Sequence, residues 1–233
     1  MNRDFIKILA LLAMVGDHIA QAFMAEGSLP YMVLTILGHF TAVTMIYFLV
    51  EGFAYTRSVK NYMLRLLFFA VLAQYPFMKL FFTEDTHYLN ILFSLCLDLL
   101  LLLALEKMPQ GSKQLYCLAA LVGVSTICDW GIMSPLFTLI IYAAMHPGWR
   151  GIRLKKTEAF YICALLYALL NINRGLTLQN LADTLGGAAA ILLAGLLIVR
   201  FYNGKRMEIG KTFFKWFFYL FYPAHLMLIY LLK

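Results

Sequence analysis

Charge is scarce in this chain. Only 13% of its 233 residues are Asp, Glu, Lys or Arg, and 63% are hydrophobic. A soluble domain carries about 25% charged residues. The shortfall excludes an ordinary soluble enzyme, and the apolar runs are long enough for membrane helices. Strands of alternating polarity are lacking too, which excludes a β-barrel. The four cysteines, Cys96, Cys117, Cys128 and Cys163, lie in or at the ends of apolar runs. They show no CxxC spacing and no His at zinc spacing, so they read as buried thiols and no metal is expected. No linker, charge run or fixed-period repeat divides the chain, so residues 1–233 read as a single domain. The net charge of +7 would suit nucleic acid, but it sits in short gaps between apolar runs and reads as an orientation signal.

What is present is a series of nine apolar segments, at 5–25, 30–53, 61–82, 88–105, 114–129, 131–146, 157–172, 181–201 and 213–232. They predict an all-α, polytopic helical bundle in a cell inner or cytoplasmic membrane. The fifth, sixth and seventh are short for a hydrocarbon layer of about 30 Å. No cleavage site follows the first segment, so it reads as a retained helix. With the N-terminus cytoplasmic, sixteen of the nineteen Lys and Arg fall on the inner side. Lys79, Arg174 and Lys233 fall outside, which predicts an outer C-terminus.

The first segment organises the rest. It carries Lys7 near its start and Asp17-His18 deep inside. Eleven residues of helix separate Lys7 from His18 by roughly 16 Å along the axis and about 20° around it. One face thus presents a cation at its mouth and an imidazole three turns further in. Ionisable groups inside a bilayer are costly and mark pathways or reaction sites. An imidazole is suited to general-base work near neutral pH. A histidine satisfied by a neighbouring helix would leave the same trace. Asp17 cannot orient His18 directly, because adjacent helical residues diverge by about 100°; a partner on another helix is expected for it.

The second segment ends in Glu51-Gly52-Phe53-Ala54-Tyr55-Thr56-Arg57, and Lys60 and Arg65 follow. Arg forks bind phosphate in pairs of hydrogen bonds. A phosphate-rich ligand arriving from the cytoplasm would meet Lys7, Arg57, Lys60 and Arg65. Arg65 sits a turn inside the third helix and needs a partner, for which Glu51 is the candidate. His39, Gln74, Asn90, Asp98, Asp129 and Asp183 are further polar groups in the apolar segments. Asp98 is costly unless paired or protonated, and Asp129 reads as a solvated helix end. His87 reads as an inert loop residue. In the last segment, Lys215 and Trp216 mark an interface. His225 lies ten residues on, about 15 Å deeper, beside Pro223, which permits a kink.

These pieces resemble the TraX family, the F-pilin acetylase-like membrane proteins. The matching parts are Asp17-His18, Glu51-Gly52-Phe53 with Thr56, Tyr62-Met63-Leu64-Arg65-Leu66, Pro76-Phe77, Asn90, Asp129-Trp130-Gly131 and the closing Phe217-Phe218-Tyr219-Leu220-Phe221-Tyr222-Pro223-Ala224-His225-Leu226. They span the chain almost end to end, and Trp130 stands where the family pattern has Tyr. The family in turn resembles transmembrane acyltransferases of the acyltransferase-three type, where a basic residue, ten positions and a His recur in the first helix. Lys7 and His18 fit that spacing. The resemblance implies acetyl transfer from cytoplasmic acetyl-CoA to an amine or hydroxyl acceptor. In the family's named member that acceptor is the pilin N-terminus. It makes His18, Asp17 and His225 the expected catalytic set, and Lys7, Arg57, Arg65 and Glu51 the expected acetyl-CoA grip. Two other readings remain open: a proton-coupled transporter or flippase relaying through Asp17, His18, Asp98 and His225, and a non-enzymatic partner in surface assembly.

Overall fold

The computed structural model describes residues 1–82, 88–172, 177–208 and 210–233; His87 and Arg174 lie outside them. Among the described residues nine α-helices follow one another, with no strand. They are α1 Arg3–Phe23, α2 Leu29–Tyr55, α3 Val59–Phe81, α4 Ile91–Lys107, α5 Ser112–Ser125, α6 Met133–Met145, α7 Lys156–Asn171, α8 Leu178–Leu196 and α9 Lys211–Leu232. Each lies within a few residues of an expected segment, because apolar runs and polar gaps alternate so sharply here. A π-helical turn, Leu197–Phe201, extends α8.

Helix starts follow from side chains that accept the unpaired backbone N–H groups of a first turn. Asn2 accepts from the Phe5 N–H at 2.9 Å, Ser58 from Asn61 at 3.2 Å, Asn90 from Leu92 at 3.1 Å and Thr177 from Asn180 at 3.2 Å. Pro223 lies inside α9, and the helix continues through it to Leu232. Among the described residues five helices are long and apolar enough to cross a membrane: Arg3–Phe23, Leu29–Tyr55, Val59–Phe81, Leu178–Phe201 and Thr212–Leu232. The remaining four have 17, 14, 13 and 16 residues.

The described chain forms two compact units that interleave in sequence. The first comprises Met1–Met45, Ile140–Phe214 and Lys233. Within it α1 and the first half of α2 run antiparallel, joined by the Thr41 hydroxyl donating to the Ala10 carbonyl at 2.6 Å. Glycines let the helices approach closely. A Cβ on Gly187 would lie 2.6 Å from the Tyr167 ring, and one on Gly195 2.5 Å from the Phe160 ring. The start of α1 is tied to the segment after α8: the Met207 N–H donates to the Asp4 carboxylate at 2.7 Å, and the Arg3 N–H to the Lys205 carbonyl at 2.9 Å.

The second unit comprises Ile46–Leu139 and Lys215–Leu232. Two loops clasp each other there. The Leu89 N–H donates to the Ile127 carbonyl at 2.9 Å, and the Asp129 N–H to the Leu89 carbonyl at 2.7 Å. Asn90, fully buried, donates through its amide to the Ala70 carbonyl and the Gln74 side chain, both at 2.8 Å. Gln74 in turn donates to the Tyr88 carbonyl at 2.7 Å. Trp130 and Gly131 complete the clasp in left-handed conformations, φ 67° and 42°.

Candidate functional site

The α1 face that carries Lys7 and His18 is the buried one. Leu11, Met14 and His18 are 4%, 7% and 9% exposed along it, and Lys7 ends the seam half-buried. The positions step by four, three and four residues, which keeps them on one side of a helix. His18 is therefore enclosed by protein, as an imidazole placed for chemistry requires. Asp17 points elsewhere. The Gln21 side chain donates to its Oδ1 at 2.7 Å. Its carboxylate also lies so close to Gly38 of α2 that a Cβ there would sit 2.6 Å from Oδ2. Asp17 thus packs its carboxylate against a glycine of the neighbouring helix.

The residue after that seat, His39, is a second imidazole whose surroundings are well defined. Its Nδ1 lies 3.0 Å from the Thr35 carbonyl and its Nε2 2.7 Å from the Tyr167 hydroxyl. A carbonyl only accepts, so Nδ1 carries a proton, and in the neutral imidazole Nε2 then accepts from Tyr167. Sequence reading named His39 only as one polar group among several. Its partner stands 128 positions away, and no local pattern announces it.

Glu51, Arg57, Arg65 and His225 belong to the other unit. Arg57 is exposed in the turn between α2 and α3. Arg65 does not take Glu51 as its partner; among the described residues it makes no ion pair. Its guanidinium carbon instead lies 5.9 Å from the centres of both the Tyr62 and Tyr219 rings, where the ring faces attract a cation. Tyr219 stacks on Phe69 at 5.5 Å, and Tyr62 packs against Gly52. The Arg65 Nε is buried without a hydrogen bond. The fork is thus oriented by flat rings, with hydrogen-bonding capacity left over. His225 is buried at 7% exposure, stacks on Phe221 at 5.3 Å, and has its Nδ1 2.9 Å from the Phe221 carbonyl.

Asp129 is half-buried in the loop after α5 rather than standing in open solvent. Desolvation pushes its carboxyl up to about 6, against the smaller opposing effect of the Trp130 backbone N–H. Ser94 donates to its backbone carbonyl at 2.5 Å. The loop clasp explains the difference, since it ties the 127–131 turn to Leu89 and Ser94, burying Cys128 while Ile127 stays exposed.

Apolar helices of spanning length, with Asp, His and Arg side chains enclosed among them, define a multi-pass membrane protein. The chain belongs to the TraX family: the model for TraX protein matches residues 2–233. It is also similar to the probable fimbrial assembly protein FimC, serogroup H1, of Dichelobacter nodosus. The two are 34% identical over 242 aligned positions, covering 98% of this chain and 96% of that protein. No solved structure matches.

Proposed function

We propose that the chain is a membrane-embedded acetyltransferase of the bacterial inner, or cytoplasmic, membrane, with nine spans, a cytoplasmic N-terminus and an outer C-terminus. Its donor is acetyl-CoA, its acceptor is an amine or hydroxyl on a pilus or fimbrial component, and its kinship is with acyltransferases of the acyltransferase-three type. The observation that carries this reading is the enclosed face of α1, with Lys7 at one end and His18 at the other. The family match and the fimbrial relative support the acceptor class.

His18 is the general base. Its imidazole takes the proton from the acceptor as that nitrogen or oxygen attacks the thioester carbonyl. The carbon–sulfur bond then breaks, and the departing thiolate receives the proton back from the imidazolium. Asp17, seated on Gly38, holds the turn of α1 that carries His18. His225 is a positioning residue of the other unit. Lys7, Arg57 and Arg65 are matched in charge to the donor's phosphates, and Glu51 balances the basic stretch beside them in sequence.

The test is transfer by purified protein in detergent, with mass spectrometry of cells with and without the gene to find the acetylated product. His18→Ala is expected to lose at least about a hundredfold in rate while keeping the wild-type melting temperature. Full activity in that variant would refute the assignment. Arg65→Ala is expected to weaken CoA binding, and unchanged binding would remove Arg65 from the grip.

A second reading, a proton-coupled transporter or flippase, draws on the complete burial of Asp98. Proton-driven solute flux in liposomes without acetyl-CoA consumption would favour it.

A further inference from the structure

Asp98 is fully buried on α4, and neither the acyl-transfer residues nor the loop clasp uses its side chain. On α4 and α6 four oxygen-bearing side chains have zero exposure: Ser94 and Asp98 on α4, Ser134 and Thr138 on α6. Each pair is four residues apart, so each stacks on one face of its helix. The faces meet, because the Ser134 hydroxyl donates to Asp98 Oδ2 at 2.6 Å. Thr138 is close enough to act on the same carboxylate, yet Thr138 Oγ1 and Asp98 Oδ1 are both buried without a hydrogen bond.

We propose that Asp98, Ser134 and Thr138 bind a small monovalent cation of the sodium class.

Three candidates could serve these atoms, and they differ in what they satisfy. A proton on the carboxyl would cancel its charge, but the two orphaned oxygens do not meet in hydrogen-bond geometry, so a proton would not join them. A water would bridge the oxygens and leave a buried carboxylate uncompensated, which is strongly unfavourable. A cation does both. Carboxylate and hydroxyl oxygens are the hard ligands such an ion takes. Among the described residues no basic side chain acts on Asp98. The Cys96 and Cys128 thiols feel its charge, and Asp129 acts on Cys128 in turn. All of these are neutral or acidic. Among the described residues no group of three or more His, Cys, Asp or Glu is gathered for a metal, so one carboxylate matches one positive charge. The site stands apart from the acyl-transfer proposal and survives its failure.

The experiment uses the purified full chain in detergent. Binding of radioactive sodium is measured at equilibrium. Thermal unfolding is compared in sodium chloride and choline chloride at equal ionic strength. Saturable binding and a higher melting temperature in sodium are expected. Thr138→Val, which keeps the side chain's shape, is expected to weaken sodium affinity about tenfold or more, and Asp98→Asn to abolish it. If Asp98→Asn fails to fold, Thr138→Val decides. The proposal is overturned by equal stability in the two salts with no bound sodium. It is equally overturned by a protonated-acid infrared band, seen in sodium at neutral pH, that Thr138→Val shifts and Asp98→Asn removes.

Discussion

The two units solve the same problem by different means. The first brings helices together through shape. Gly38 seats the Asp17 carboxylate, Gly187 lies against Tyr167 and Gly195 against Phe160, each with no room for a further carbon. The second holds itself through hydrogen bonds between side chains and loop backbone, centred on Asn90, Gln74 and Ser94. Two of its glycines have room, since nothing lies within 4 Å of a Cβ added to Gly111 or Gly123, while Gly52 packs against Tyr62. One unit should therefore be sensitive to added volume, the other to a lost amide or hydroxyl.

The sharpest test of that contrast is Asn90→Ala. It strips partners from the Ala70 carbonyl and the Gln74 side chain and uncaps α4. Thermal unfolding should show a loss of about 3 kcal/mol, since each buried group left unpaired costs about 1–3. A loss below about 1 kcal/mol would mean that the clasp does not hold the second unit together.

Asp129 tests the same clasp through pH. Its carboxyl stands at about 6, above the ordinary 3.8, because it is desolvated. A raised acid favours the folded state while it is neutral. The stability it contributes is thus complete below pH 3.8 and is lost as pH rises through about 6. Asp129→Asn should flatten that part of the stability curve. An unaltered slope would show that the turn at 127–131 is as wet as the sequence suggested.

The smallest effects come from a pair of glycines and should carry opposite signs. Gly187→Ala forces a carbon into the Tyr167 ring and should cost about 1–3 kcal/mol. Gly123→Ala adds a carbon to an open side of α5 and should stabilise by about 0.5–1 kcal/mol through helix propensity. Equal signs in the two melting curves would dissolve the comparison.

The helices were legible because hydrophobic runs and charged gaps are local properties. All nine starts and stops fell within a few residues of the observed ones, and the α1 periodicity correctly put Lys7 and His18 on one enclosed face. The pairings were not legible. Asp17 on Gly38, Ser134 on Asp98 and Tyr167 on His39 join residues far apart in sequence, and a single chain carries no signal of which polar groups will meet. Arg65 shows the limit most clearly. A formal charge suggested Glu51 as its partner, whereas two tyrosine rings occupy that role. The serine and threonine four residues apart on α6 were a usable hint, but a hydroxyl in an apolar run is usually satisfied by its own helix backbone.

The tie between Asp4 and the Met207 backbone has a mechanical consequence. A rigid rod fastened at one end by a short tether cannot roll freely about its axis. Any displacement of the stretch after α8 is passed as torque to the first helix, and a roll there shifts the side chain of Lys7 along with it.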